Sequence, residues 1–454
     1  MTLLKTDSGR QDARTTAYLA LSEIFGKAAY ANLTVHKYIR RGKLGEADRR
    51  LFTELTYGTV RRWNYLLWIM EQLSGRKAEK IDCPVRILLG IGLYQMIFLD
   101  RIPESAAVNE TVKLTKKFSN GGAAKFANAV LRSYQRKKGS LSIPGRDRNT
   151  VQFLSLTYNQ PEWLIRRWIR QFGEKTTEQC CLAFDRIPGL DVRCNTQKIS
   201  RAELTALLRS SGAEAEPLSF VPEGIRIHKN PDSLEKASWL RDGLAYIQNG
   251  ASMIPAHVLD PAAGEKILDM CAAPGSKTTH IAQLMKDRGH IDAWDIYPHK
   301  IELIRRNASR MGLNSITAEC RDASLSDSGK KEQYDRVLLD APCSGLGVIG
   351  RKPEMRWTRH EEDMARFPAL QAVLLDRAAE FLKAGGILVY STCTLNPEEN
   401  ENMVHCFLER HPDFILSPWQ RPPLPSSLSG MLTLWPAERE TDGFFVARME
   451  KIRS

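Results

Sequence analysis

Residues 388–401 read LVYSTCTLNPEENE and carry a thiol, Cys393, where an apolar run (386–390) meets a polar, acidic loop. A second thiol, Cys343, lies in LLDAPCSGLGV, after a second apolar run that ends in Asp340. A structural cysteine behaves as a small hydrophobe and belongs inside such a run. A reactive one has to be held firmly yet stay open to a substrate, and a strand end does both. Two thiols so placed, with an acid beside one, suit covalent catalysis by a thiolate together with proton transfer. A free thiol has a pKa near 8.5, so only about a tenth or less is thiolate at neutral pH. The attacking cysteine therefore benefits from a nearby cation such as Lys277, or from a helix N-terminus. Cys83, Cys180, Cys181, Cys194, Cys320 and Cys406 read as structural. None of the nine cysteines forms a CxxC pair, so no metal is expected and a reducing cytoplasm is.

A second constellation is KILDM followed by CAAPGSKTTHIAQLM. Strand, small-residue turn and helix make a cradle where Gly275 admits a ligand close to the backbone and the helix start offers free N–H groups. Asp295 stands twenty residues beyond Gly275, where an acid can hydrogen-bond ribose hydroxyls. Asp322 is placed to accept from an adenine amino group. Neither GxGxxG nor GxxxxGK[ST] is present, which favours a nucleoside cofactor without phosphates. Asp295, Asp322 and Asp340 end successive expected strands, where open α/β sheets bind ligands.

These residues need an alternating scaffold to hold them. Expected strands are 266–270, 290–295, 315–320, 336–340, 386–391 and 444–448, with helices between, which gives an α/β layer with a mostly parallel sheet. Residues 151–250 mix helix and strand, and Ser200 is the expected N-cap of one helix; they read as a small α+β subdomain. A polar linker covers 136–150. Residues 12–134 show helical spacing of apolar positions, with Pro84 opening one helix and Ile102-Pro103 ending it. The apolar segment 87–99 contains Gln95 and is too short to span a bilayer. Net charge is +12. Residues 1–150 hold 27 Lys+Arg against 13 Asp+Glu, and the remainder 38 against 40. All the excess positive charge is thus in the helical region, which suits a phosphate backbone.

GLYQMIFL, IPESAAVNETVKL and KFANAVLR resemble the NusB-like helical RNA-binding domain. DMCAAPGSKT, LLDAPCSGLGV with RKPEMRW, YSTCT with ENE, and the terminal TDGFFVARM resemble the Sun (Fmu) group of RNA cytosine-5 methyltransferases, in the bacterial branch acting on small-subunit ribosomal RNA. The resemblance implies a multidomain chain: an all-α NusB-like domain (1–135), a linker (136–150), a small α+β subdomain (151–250) and a Rossmann-like class I S-adenosylmethionine-dependent methyltransferase domain (251–454). It implies S-adenosylmethionine held by Cys271, Ala272, Ala273, Pro274, Gly275, Ser276 and Lys277, with Asp295, Asp322 and Asp340 as acidic contacts. Two positions depart from the family pattern: Ser276 replaces the usual glycine, and Asn249 the usual aspartate.

Carbon 5 of cytosine is a poor nucleophile until a thiolate adds to carbon 6. Addition is helped by a proton at ring nitrogen 3, and release requires loss of the carbon 5 proton. The resemblance implies Cys393 as nucleophile, Cys343 as helper in release, and Asp340 as a third catalytic group. Arg351, Lys352, Arg356 and Trp357 are expected to grip phosphates and stack a base; Glu398, Glu399, Asn400 and Glu401 are expected to cap a helix and hold the Cys393 loop. The partner is then single-stranded or loop RNA, bound by a monomer, with no membrane and no metal. Three alternatives stay open: another RNA such as tRNA as substrate, a DNA cytosine methyltransferase, and an RNA-binding assembly or antitermination factor with an inert catalytic domain.

Overall fold

The computed structural model describes residues 12–42, 44–229 and 237–453. The chain divides into two compact units, Met1–Arg186 with Ile349–Glu361, and Ile187–Val348 with Glu362–Ser454.

The first unit is helical. Its leading helices are Ala13–Lys27, Ala31–Arg41, Glu46–Arg61, Trp63–Ser74, Cys83–Phe98, Glu104–Phe118 and Gly121–Lys137. The Asp12 carboxylate accepts from the N–H groups of Arg14 and Thr15 and so caps the first. Pro84 lies in the first turn of Cys83–Phe98, where its missing N–H costs nothing. That helix stops at Phe98, and Pro103 caps the next helix instead of ending its predecessor. Cys83–Phe98 is apolar nearly all round because it is the buried centre of the unit, with Ile87, Leu88, Leu89, Ile91 and Leu93 all inaccessible. Thr150–Thr157 and Glu162–Asp185, the latter broken by a kink at Gly173 (φ +78°), follow in the same unit.

The second unit begins with four antiparallel strands, β1 (Leu190–Cys194), β2 (Glu214–Pro217), β3 (Gly224–Lys229) and β4 (Ala245–Ile247), in the order β2-β3-β1-β4. Ser200 caps the helix Arg201–Ser210 through a reciprocal bond with Glu203, as its position predicts. Eight further strands form the large sheet: β5 (Lys266–Asp269), β6 (His290–Asp295), β7 (Ile316–Cys320), β8 (Tyr334–Asp340), β9 (Leu382–Thr392), β10 (Phe414–Leu416), β11 (Met431–Leu434) and β12 (Phe444–Lys451). Their order is β10-β12-β9-β8-β5-β6-β7, with β11 also on β12. β7 through β9 pair in parallel, and β12 closes on β9 antiparallel.

Alternation along β8 and β9 explains their apolar runs. Leu338, Ile387 and Val389 enter the core on one face; Val337, Leu339, Leu388 and Tyr390 enter the core on the other. Strands covered on both faces read as continuous hydrophobic runs. The strand order reverses between β5 and β8, and the crevice at that switch point is where such sheets bind ligands. Truncating Leu338 leaves a cavity in the middle of the sheet. Leu338→Ala is expected to cost about 2–5 kcal/mol, read as a lower urea midpoint for the catalytic unit; an unchanged midpoint would contradict this placement.

Candidate active site

The parallel register pairs Asp340 with Ser391, so the chain leaves β8 and β9 at the same level of adjacent strands. Ala341 N–H donates to the Ser391 carbonyl at 2.9 Å, extending the pairing one step past β8. Cys343 and Cys393 follow on these neighbouring exits, and their Sγ atoms lie 3.3 Å apart. Both thiols are partly exposed and free of disulfide bonds.

A buried polar network fixes the two loops to each other. The Glu399 carboxylate, wholly inaccessible, accepts the Ser344 N–H at 2.8 Å, the Gln371 amide at 3.0 Å and the Asn396 amide at 3.0 Å. The Ser344 and Thr394 hydroxyls are 2.8 Å apart. Asn400 accepts from the Thr392 hydroxyl and donates to the Thr394 carbonyl. Of the acidic cluster after Cys393, Glu399 and Asn400 hold the loop; Glu401 instead accepts from the Thr433 hydroxyl, and no side chain caps the helix Glu401–Arg410, contrary to the expected cap. Gly347 adds a backbone clamp: its N–H donates to the Cys393 carbonyl at 3.0 Å, and its carbonyl accepts from Gly443 at 2.8 Å. The Cys343 thiol is pushed well above its ordinary value, first by its hydrogen bond to Cys393 and then by burial. In this pair Cys343 keeps its proton.

Asp340 is held in place from two sides. The Ser391 hydroxyl donates to Oδ1 at 2.8 Å and the Lys277 ammonium to Oδ2 at 2.6 Å. Lys277, expected as a cation for the attacking thiol, instead pairs with Asp340. Next to it stands Asp269, at the end of β5, which the sequence reading gave no role. It is fully buried, accepts from the Thr278 hydroxyl at 2.7 Å and leaves Oδ1 unpartnered. Burial first, with the Asp340 charge adding, raises its pKa to about 7. The signal available in sequence was an acid closing an apolar run immediately before the cofactor turn.

Residues 271–277 form that turn. Ala272 N–H donates to the Trp294 carbonyl, and Gly275 N–H to the Ala272 carbonyl at 2.7 Å, closing it. Pro274 is cis, and its carbonyl accepts from the Asn307 amide. Gly275 has φ +95°, and a Cβ there would stand 3.3 Å from Ile304 Cα. Ser276 begins the helix Ser276–Leu284, so its backbone is helical and serine is tolerated. No side chain caps that helix. Asp295 is buried at the end of β6, where it accepts from Tyr297 N–H and lies 3.5 Å from Lys300. An open helix start, a turn without room for a side chain and a held acid on the next strand fit a nucleoside cofactor. Asp322 is exposed beyond β7 and is engaged by the Ser324 N–H and hydroxyl. Of the expected site residues, Asp340 and Lys277 meet beside the thiol-bearing loops, whereas Asp295 and Asp322 lie on the neighbouring pair β6 and β7.

Two expectations change. Arg356 and Trp357 are not an RNA grip. Arg356 is 2% exposed and donates to the carbonyls of Phe184 and Asn159, while the Trp357 indole donates to the Val60 carbonyl at 2.7 Å. Both are packed in the first unit. Lys352 lies 5.0 Å from the Tyr30 ring. Asn249, the departure from the expected aspartate, caps the helix Gly250–Leu259 and donates from Nδ2 to Asp191 at 3.0 Å. A carboxylate in its place would confront the Asp191 charge. Glu223, His257 and His280 also gather, within 4.8 Å of one another. There Glu223 accepts from His257, and burial lowers the His280 pKa to about 3.

Two tests follow from this geometry. A Cβ at Gly347 would stand 2.0 Å from the Gly443 carbonyl oxygen and 2.9 Å from that of Cys393. Gly347→Ala is expected to lower turnover by about a hundredfold while calorimetric binding of S-adenosylmethionine is retained; full turnover would show that the clamp is dispensable. For Asp269 the folded pKa exceeds the unfolded one, so the folded state binds more protons between pH 4 and 7 and this residue's contribution to stability falls as pH rises through that window. Asp269→Asn should therefore match the parent near pH 4 and unfold at higher urea at pH 8. Equal midpoints at pH 8 would refute the raised pKa.

Comparison with known proteins agrees with this architecture. Residues 256–450 match the family described as 16S rRNA methyltransferase RsmB/F. Residues 11–136 match the NusB family, and residues 160–233 the ferredoxin-like domain of RsmF/B-like methyltransferases. The chain is 37% identical to the probable ribosomal RNA small subunit methyltransferase B of Bacillus subtilis, over 97% of this chain and 99% of that protein. It is 33% identical to ribosomal RNA small subunit methyltransferase B of Klebsiella pneumoniae, over 91% and 92%. Among solved structures, that of PH0851 superimposes with TM-score 0.83 at 28% identity, over 98% of this chain and 100% of the other. A methyltransferase homolog from Pyrococcus horikoshii gives 0.59 at 33% identity, over 67% and 99%. NSun6 from the same organism, solved with SFG, gives 0.58 at 25% identity, over 65% and 99%. With near full-length relatives above 30% identity and a match in each of its parts, the chain belongs to the RsmB/F (Sun) family of S-adenosylmethionine-dependent methyltransferases with a NusB domain.

Proposed function

We propose that this chain methylates carbon 5 of a cytosine in 16S ribosomal RNA through a covalent bond between Cys393 and carbon 6. As a family member it is an S-adenosylmethionine-dependent rRNA methyltransferase. The position on the base and the roles of the two thiols are our reading. The observation that carries it is the 3.3 Å separation of two sulfurs, neither in a disulfide, at adjacent strand ends. A single attacking thiol needs no second one in contact. A reaction that must both make and break a thioether has a use for each.

Cys393 Sγ forms the bond to carbon 6, and the displaced π electrons make carbon 5 nucleophilic. Asp340 and the Lys277 ammonium bonded to it hold the proton that the ring takes up at nitrogen 3. S-adenosylmethionine, when bound by the 271–277 turn and Asp295, supplies an electrophilic methyl group. Cys343, which keeps its proton next to Cys393, assists the last stage: the carbon 5 proton passes to water, nitrogen 3 returns its proton to the Asp340–Lys277 pair, and the sulfur–carbon 6 bond breaks as the ring double bond returns, with the Cys343 S–H hydrogen-bonding the departing sulfur. Cys393 is then restored as thiolate. A cytosine reaches these sulfurs only outside a base stack, which favours loop or single-stranded RNA. Among the described residues no helix is long and apolar enough to cross a membrane.

Trapping with 5-fluorocytosine RNA separates the two thiols, because fluorine on carbon 5 blocks release. Cys393→Ala is expected to abolish the covalent complex. Cys343→Ala is expected to accumulate an adduct with unmodified RNA, seen as a protein band of raised mass on a denaturing gel. The reverse pattern would exchange the two roles, and no adduct with any RNA would end the covalent reading.

A further inference from the structure

We propose that a groove along the helix Pro298–Met311, closed at one end by Arg241 of the short helix Ser238–Arg241 before β4, binds RNA backbone phosphates and guides the strand that flanks the target base. This rests on the rRNA reading above. The groove has a volume of about 740 Å³ and is lined by Arg241, Arg305, Arg306, Arg310, Glu302 and Asn307, among others. It continues into a second recess of about 440 Å³ that shares Arg241, Asn307 and Arg310 and adds Tyr246 and Ile247.

Three features separate this surface from an ordinary solvated face. The first is charge without compensation. Arg305 donates to the Ala318 carbonyl at 2.9 Å, and Arg310 to the carbonyls of Leu240 and Ala245 at 2.7 and 3.0 Å. Carbonyl partners fix a guanidinium in place and leave its full positive charge. Among the described residues no ion pair reaches Arg305, Arg306 or Arg310; Arg241 pairs only with its exposed neighbour Asp242. Chain-wide, residues beyond 150 carry no excess positive charge, so four arginines against Glu302 and Asp242 are a local concentration.

The second is rigidity. Arg310 lies over the Tyr246 ring at 5.5 Å, and Arg193 lies 5.3 Å from the same ring. Gly243, φ +70°, lets the sheet side approach the Arg310 carbonyl so closely that a Cβ would overlap it at 1.9 Å. A preformed cationic wall loses little entropy when it meets a phosphate. The third is location. Asn307 holds the Pro274 carbonyl of the cofactor turn at 2.9 Å, and the Tyr246 hydroxyl approaches that carbonyl at 3.5 Å. The groove therefore adjoins the turn beside which the target base has to be placed. Planar guanidinium groups match phosphate oxygens in pairs.

The test is binding, so that it stands apart from catalysis. A fluorescently labelled transcript of the 16S rRNA region that the chain methylates is titrated into the full chain, and affinity is followed at several salt concentrations. Arg241 and Arg306 are exposed, and a charge-reversed pair, Arg241→Glu with Arg306→Glu, is expected to weaken binding at least about tenfold. It is also expected to reduce the slope of log affinity on log salt by about two, since each released phosphate contact removes roughly one unit. Arg241→Lys with Arg306→Lys, which preserves charge, should stay within about threefold of the parent. Calorimetric binding of S-adenosylmethionine should be the same in all three. Unchanged RNA affinity in the reversed pair overturns the groove. Unchanged affinity for RNA together with lost affinity for assembled small-subunit particles overturns it as well and assigns the surface to a protein. If instead the chain proves to methylate a different RNA, the same titration with that RNA still decides the groove, and only the choice of substrate falls.

Discussion

The site depends on one constraint: β8 and β9 are parallel neighbours in a register that places Asp340 level with Ser391. A slip of one residue would reverse the facing of every side chain on the strand. It would part the Ala341–Ser391 backbone bond, remove Ser391 from Asp340, and move the two sulfurs to different heights. Register is secured by burial on both faces, because Leu338 and Leu339, like Val389 and Tyr390, each have a separate core to fill. The apolar sheet thus does the positioning, and the polar groups beyond it fine-tune two loops that are already adjacent.

Beyond the strand ends the cost of order is met by Glu399. A carboxylate with no access to water is expensive unless several donors surround it. Ser344, Gln371 and Asn396 supply those donors, and they come from the Cys343 loop, from the helix Arg366–Phe381 and from the Cys393 loop. The charge that makes the network costly if broken is also one of the influences keeping the Cys343 proton on sulfur. The carboxylate that orders the two loops thus also adds, after the Cys393 hydrogen bond and burial, to what holds the Cys343 proton.

Much of this was legible from residues alone, for a stated reason. Parallel strands covered on both sides announce themselves as apolar runs, and the turn 271–277 announces itself through small residues before a helix. The Ser200 cap and the acidic cluster after Cys393 carried equally local signals. What was not legible depended on long-range packing. Arg356 and Trp357 have the composition of a nucleic-acid grip, and only their acceptors at Phe184, Asn159 and Val60 reveal them as fasteners, the first buried and the second half-buried. Asp269 sat inside a quoted motif, yet its raised pKa arises from burial under elements distant in sequence. The cationic groove was hidden because its arginines come from two segments more than sixty residues apart, and a charge total taken over everything beyond residue 150 averaged them away.

The excursion of residues 349–361 into the helical unit has a topological consequence. The polypeptide passes between the two units three times, after Arg186, after Val348 and after Glu361, instead of once through a tether. Cutting at the first crossing would leave the catalytic half carrying Arg356 and Trp357 stripped of their carbonyl acceptors, a buried guanidinium and a half-buried indole left without partners. A break at that point therefore leaves residues 349–361, which belong to the helical unit, on the catalytic fragment.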